Sequence, residues 1–211
     1  MKSGTVFTVR NSLLAITATL MLGMVVLSGI GSLDAMKKRD AENEVTAANL
    51  ISDNLLTSAN IWAVERGTTN AGLSGDAPVE KKSQATIVAH RAKADPAFKK
   101  ALRGLKDFRD FSGKKELIAA TLAAYEKTEA LRKVADQQMK LAKPERDIAS
   151  YASWVPTVTG LIIKSQDLRM AISNSFEMSA LVSQLVALRH VAWLMSEFAG
   201  RERAIMAGNF F

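Results

Sequence analysis

The chain has 211 residues, 48% hydrophobic content and a formal net charge of +7, enough for one sizeable core plus a membrane segment. It has no cysteine and only two histidines, His90 and His190, which excludes disulfides and thiolate metal sites and disfavours any metal site or metal cofactor. Basic and acidic residues alternate along the chain, which is typical of solvated helix faces, so we expect no nucleic-acid binding.

The first predicted element is a run without charge at residues 11–33, bounded by Arg10 and Asp34. At about 1.5 Å per residue this run spans a ~30 Å hydrocarbon core. A cleaved signal peptide is the alternative, but the nearest cleavage candidate carries Leu33 where a small residue is needed. We therefore predict a transmembrane helix at 11–33, with the lipid bilayer as partner.

Residues 34–75 continue as one helical pattern whose apolar stripe includes Ile51, Leu55 and Trp62. The next position on this stripe is Glu65, so a charge interrupts a packing surface. A glycine and a proline close to one another, at 75 and 78, predict the turn that ends this helix.

The remaining pattern is helical as well, and Pro96 either kinks the second helix or restarts it with Asp95 as N-cap. Further helical segments are predicted at 79–111, at 112–141, from 144 to about 172 and at 180–209, with a loop at 173–179. No stretch alternates as a strand does. The predicted fold class is all-α: a transmembrane helix, then an antiparallel bundle of long helices of the four-helix-bundle type over 34–211.

Two Glu-Arg pairs are the main functional signal, Glu65-Arg66 and, near the other end, Glu202-Arg203 directly after Arg201. Each glutamate falls on a predicted packing stripe, which on the last helix runs through Leu181, Leu185 and Leu188. Arginine stands beside each glutamate, and the small residues that follow are expected to let helices approach closely. The planar guanidinium matches a planar oxyanion through two hydrogen bonds. The alternative is structural: Glu65 and Glu202 pair with arginines across the bundle and set its register.

Arg91 also falls on a predicted stripe, where the alternative is an aliphatic stem that is buried while the charge reaches water. The sequence contains no Gly-rich phosphate loop, no GxSxG and no HExxH motif, so we predict no catalytic residues and no enzyme. The chain is expected to bind or to transmit a signal.

The phrases ERGTTNAGLSG, HRAKADPAF, WVP and AGRERA, in this order, resemble the extracytoplasmic sensor regions of bacterial methyl-accepting chemotaxis receptors and related histidine kinases. They are similar to the nitrate- and nitrite-sensing (NIT) domain over most of residues 35–211. The resemblance implies a helical bundle outside the cytoplasmic membrane in which arginines bind nitrate or nitrite. By motif match these are Arg66, Arg201 and Arg203; Arg91 is added from its stripe position.

The resemblance also implies a cytoplasmic segment at 1–10 and a periplasmic bundle at 34–211, in the bacterial inner membrane. The chain stops at Phe211 without the second transmembrane helix or output region of such receptors, so we expect a truncated bundle. The predicted function is a sensory domain of a chemotaxis-type receptor, dimeric through its first long helix, that binds a small anion and transmits a helix shift. The alternatives are a ligand-free dimerisation bundle, or the sensor part of a histidine kinase or diguanylate cyclase.

Overall fold

A computed structural model describes residues 9–176 and 180–209. These residues contain helices and turns and no strand, so the all-α prediction is confirmed. The helices are α1 (Val9–Ser74), α2 (Lys81–Asp107), α3 (Lys114–Gln138), α4 (Ile148–Tyr151), α5 (Trp154–Ser173) and α6 (Ala180–Asn209), with a 3₁₀ turn at Lys143–Glu145.

The chain divides into two compact units, residues 1–46 and 47–211. The first unit contains the N-terminal part of α1, where Leu20, Met24 and Leu27 are more than half exposed. This helix is long and apolar enough to cross a membrane, and none of its most apolar stretch is buried by the protein. The boundaries 11–33 stay a prediction.

In the second unit, α2 runs antiparallel to α1. Glu65 pairs with Arg91, and Ser58 Oγ donates to the carbonyl oxygen of Ala94, 3.0 Å away. A β-carbon on Gly104 would lie 2.8 Å from Cγ1 of Ile51, so only glycine allows this approach of the two helices. In these contacts the residue numbers decrease along α1 as they increase along α2, so the two helices are antiparallel.

Helices α3 and α5 form the other antiparallel pair. Thr121 Oγ1 on α3 donates to the carbonyl oxygen of Lys164 on α5, and Trp154 Nε1 at the start of α5 donates to the carbonyl oxygen of Arg66, 3.0 Å away. Together with α1 and α2 they enclose an aromatic core in which Trp62, Phe98 and Tyr125 have ring centroids 4.9–6.0 Å apart. The predicted stripe of α1 is the core side of this bundle.

Arg146 fastens the turn between α1 and α2 to the end of α3. It is 6% exposed, and its guanidinium donates to the backbone carbonyl oxygens of five residues: Leu73, Gly75, Ala77, Gln138 and Leu141. Buried polar groups in proteins generally have hydrogen-bond partners. The donors of Arg146 are satisfied by carbonyl oxygens at and just beyond the C-terminal ends of α1 and α3, which have no partner within those helices.

Pro96 does not restart a helix, because α2 is one helix from Lys81 to Asp107, and Asp95 binds Arg132 instead of capping a helix. The alternative of a kink at Pro96 stays a prediction. The predicted loop at 173–179 begins where α5 ends at Ser173; its residues 177–179 lie outside the described part.

Helix α6 packs on the bundle with a face that the sequence did not indicate. The leucines of the predicted apolar stripe, Leu181, Leu185 and Leu188, are more than half exposed, whereas Trp193 and Glu197 are buried. The helix runs parallel to α1, because Arg189 pairs with Asp53 and Glu197 with Arg66. Ion pairs with α1 select this face, and the expectation of a buried leucine stripe on this helix was wrong.

Candidate functional site: a groove between α1 and α6 beside a buried ion pair

The buried centre of the site is an ion pair between Arg66 of α1 and Glu197 of α6. Nη1 of Arg66 lies 2.6 Å from Oε1 of Glu197 and Nη2 lies 3.3 Å from Oε2, and the two residues are 0% and 3% exposed. Nη1 also donates to Oγ1 of Thr159, 2.9 Å away. The Nε donor of Arg66 is buried and has no hydrogen-bond partner among the described residues.

A second arginine of the site comes from α6 itself. Nε of Arg201 donates to Oε1 of Glu197 at 2.8 Å, and its guanidinium carbon lies 5.3 Å from the ring centroid of Phe198. The carboxylate of Glu197 is therefore held between two guanidinium groups, one from each helix.

Arg203 is exposed and lines the groove beside this ion pair. Glu202 is exposed too, and in the part of α6 that the structure describes it forms no ion pair. The supporting role expected of Glu202 therefore belongs to Glu197, one helical turn before Arg201. We call Arg66, Glu197, Arg201 and Arg203 the groove cluster.

The groove between α1 and α6 has a volume of about 550 Å³. Two glycines keep it open: a β-carbon on Gly67 would meet no atom within 4 Å, and one on Gly200 would lie 3.6 Å from Nη2 of Arg66. Small residues were expected to bring helices together, but Gly67 faces open space. The groove is lined by Asn60, Ala63, Val64, Gly67, Thr68, Trp193, Ser196, Glu197, Gly200 and Arg203.

Glu65, the neighbour of Arg66, belongs to a different set of charges. Its carboxylate is 0% exposed and accepts hydrogen bonds from Nε of Arg91 at 2.6 Å and from Nε and Nη2 of Arg132 at 2.8 and 2.6 Å. Arg91 binds Asp136 with both terminal nitrogens, at 2.7 and 2.9 Å. Arg132 binds both oxygens of Asp95 with Nη1, at 3.1 and 3.0 Å.

We call these five residues the Glu65 cluster. Burial lowers the pKa of Arg132, but its hydrogen bonds to Glu65 and the charges of Glu65 and Asp95 outweigh this, so the pKa is raised. The pKa of Arg91 is raised against burial in the same way by Asp136 and Glu65. Both arginines stay charged, and three carboxylates occupy their donors, so Arg91 is committed to this cluster and lies away from the groove.

The family model NIT, described as nitrate and nitrite sensing, matches residues 62–211. This is more than half of the chain. The chain belongs to the NIT family. Both clusters lie inside the match, and the family is one of sensory domains. No curated protein and no solved structure matches the chain.

Four charged residues of the two clusters in this NIT domain were not predicted from the sequence to be part of a charged site: Asp95, Arg132, Asp136 and Glu197. Three of them carried a readable signal, because Arg132 and Asp136 are one turn apart on a predicted helix, as Glu197 and Arg201 are. Such spacing is common on solvated helix faces, so it does not by itself indicate burial.

Proposed function

We propose that this NIT domain binds nitrate or nitrite in the groove between α1 and α6, at Arg66, Arg201 and Arg203. The observation that carries the proposal is the carboxylate of Glu197 between two guanidinium groups at the edge of an open groove. A carboxylate, nitrate and nitrite are all planar anions that present two oxygens to one guanidinium edge. Glu197 thus occupies a place whose geometry suits the ligand.

In this proposal the anion competes with Glu197 for the two arginines. The Nε donor of Arg66 has no partner among the described residues, so an incoming oxyanion gains a hydrogen bond that Glu197 does not make. The displaced carboxylate can turn into the groove, where water solvates it, and it is not left as a buried unpaired charge. Three arginines against one glutamate also give the groove cluster a positive field that attracts an anion.

Displacement of Glu197 would convert binding into movement. Arg66 and Glu197 join α1 to α6 across the groove, and exchanging this bond for an anion changes what holds the two helices together. A ligand shifts a conformational equilibrium only by its difference in affinity for the two states. The competition supplies that difference, and a small shift of α6 against α1 is the signal we propose.

We further propose that the chain is part of a dimeric, chemotaxis-type receptor of the bacterial inner membrane, with residues 1–10 in the cytoplasm and the bundle in the periplasm. A candidate membrane helix ahead of a sensory domain supports a membrane-anchored receptor. The family resemblance supports the remaining assignments.

A ligand-free dimerisation bundle is the competing hypothesis, and one observation favours it. Large apolar side chains that are half or more exposed follow one another along α6, namely Leu181, Leu185, Leu188, Val191, Met195, Phe198 and Met206. Such a stripe at helical spacing is typical of helix-helix interfaces. The two hypotheses differ in whether an anion binds at all.

Isothermal titration of the full chain in detergent with sodium nitrate and sodium nitrite tests the proposal. We expect Arg66→Met to weaken binding about tenfold or more, because a charged hydrogen bond contributes roughly 1.5–3 kcal/mol. Arg203→Ala removes an exposed charge and should weaken binding less. Arg103→Ala, at an exposed arginine of α2, is the matched control and should change nothing.

A second variant guards against loss of folding in Arg66→Met. Gly67→Leu fills the groove at a position where a β-carbon meets no atom within 4 Å, and it leaves the ion pair intact. It should abolish binding while the chain stays folded. Absence of binding to the natural chain, or unchanged binding in both variants, would sink the proposal.

A further inference from the structure

A buried arginine outside both clusters has no acidic partner. Arg169 on α5 is 1% exposed, and no carboxylate in the described part of the chain forms an ion pair with it. The acid whose charge it feels is Asp53, which is bound to Arg189. A buried positive charge without a counter-ion is costly to a fold.

The side chains around Arg169 add donors where an acceptor is needed. Nε of Arg169 donates to Oε1 of Gln166. Because a guanidinium can only donate, the amide oxygen must face it, and Nε2 of Gln166 is then fixed as a further donor. Within the described part of the chain this Nε2 is buried without a hydrogen-bond partner, and so is Oγ of Ser165, one turn from Arg169 on the same face of α5.

His190 of α6 does not supply the missing negative charge. Its Nδ1 lies 3.1 Å from Nη2 of Arg169, so the ring accepts this hydrogen bond as the neutral tautomer with its proton on Nε2. Burial and the charge of Arg169 lower the pKa of His190. Burial, followed by the charge of Arg189, likewise lowers the pKa of Arg169, to about 10. Around Arg169 the donors thus outnumber the acceptors and the field is positive.

We propose that Arg169, Gln166 and Ser165 form a second site, for a small monovalent anion of the halide class. The anion would neutralise the guanidinium and accept hydrogen bonds from Nε2 of Gln166 and Oγ of Ser165. The site is separate from the groove, because His190, the α6 neighbour of Arg169, lies about two helical turns from Glu197. The anion would stabilise the buried guanidinium of α5 whether or not the groove binds nitrate.

Thermal unfolding of the full chain in detergent, in sodium bromide against sodium gluconate at equal ionic strength, tests this site. We expect bromide to raise the Tm of the natural chain. Gln166→Glu places a carboxylate beside Nε of Arg169, so this variant should have a higher Tm in gluconate and lose its response to bromide. Gln137→Glu makes the same chemical change at an exposed position of α3 and should keep the full response.

Arg66→Met separates this inference from the proposed function. It removes the guanidinium of the groove cluster, and the bromide response should survive in it, even if nitrate binding to the groove is lost. The second site is overturned if bromide leaves the Tm of the natural chain unchanged, if Gln166→Glu responds as the natural chain does, or if Arg66→Met abolishes the response.

Discussion

Two adjacent residues of α1 lead to opposite kinds of charged site. Glu65 is the acidic centre of a cluster in which three carboxylates meet two arginines. Arg66 is the basic centre of one in which Arg66 and Arg201 bind Glu197 and Arg203 lines the adjoining groove. Successive side chains of a helix point about 100° apart. Glu65 therefore faces α2 and α3, whereas Arg66 faces α5 and α6.

The difference between the clusters lies in what remains unsatisfied. In the Glu65 cluster every arginine has two carboxylate partners. In the groove cluster Arg66 keeps a buried free donor, and an open groove adjoins its partner Glu197. A closed network rigidifies a fold, and an open one can exchange an internal partner for a ligand.

The largest expected effect comes from neutralising the central carboxylate of the Glu65 cluster. Glu65→Gln removes the charge that the buried Arg132 and the partly exposed Arg91 share, and breaking a buried ion pair costs about 3–5 kcal/mol. We expect this loss in the free energy of unfolding, measured by chemical denaturation of the full chain in detergent. Glu126→Gln, at an exposed site on α3, is the control and should cost little.

Nitrate should stabilise Glu65→Gln no more than it stabilises the natural chain, because Arg91 and Arg132 keep carboxylate partners in Asp136 and Asp95. If nitrate raised the stability of Glu65→Gln by more than that of the natural chain, the distinction between a closed and an open cluster would be wrong.

A smaller effect is expected in the groove cluster, where the substitution should raise the affinity for nitrate. Glu197→Gln neutralises the internal competitor, so the affinity for nitrate should rise, by about tenfold if the competition is worth ~1.4 kcal/mol. Isothermal titration measures the change. If Glu197 serves only to hold the helices together, its replacement would leave the nitrate affinity unchanged or lower it.

The last pair of effects concerns two glycines of α1 that lie five residues apart. Gly67→Ala adds a methyl group where no atom lies within 4 Å, so the higher helix propensity of alanine should stabilise the protein by up to about 1 kcal/mol. Gly72→Ala places its β-carbon 2.9 Å from Cγ2 of Val79 and 3.2 Å from Sδ of Met139. Crowding of this kind typically costs about 1–3 kcal/mol.

The two variants should therefore shift the midpoint of denaturation in opposite directions. A loss of stability in Gly67→Ala would show that the groove is less open than the structure indicates.

Much of the fold could be predicted from the sequence because helical periodicity is a local property. The apolar stripe of α1 through Ile51, Leu55 and Trp62 is buried as its spacing predicts. The same reasoning failed for α6, where the leucine stripe is exposed. Periodicity shows which residues share a face; it does not show which face a neighbouring helix will cover, and on α6 charged partners made that choice.

The sequence by itself determined that the chain is helical, that it carries one candidate membrane helix, and that Glu65-Arg66 interrupts a packing surface. Only the tertiary structure decided the pairing of the charges: Arg132 with Glu65, 67 residues apart, and Glu197 with Arg66, 131 residues apart. An ion pair depends on distance in space, and a bundle brings together residues whose separation along the chain carries no signal. For this reason Glu197, and not the predicted Glu202, forms the ion pairs with the arginines of the groove cluster.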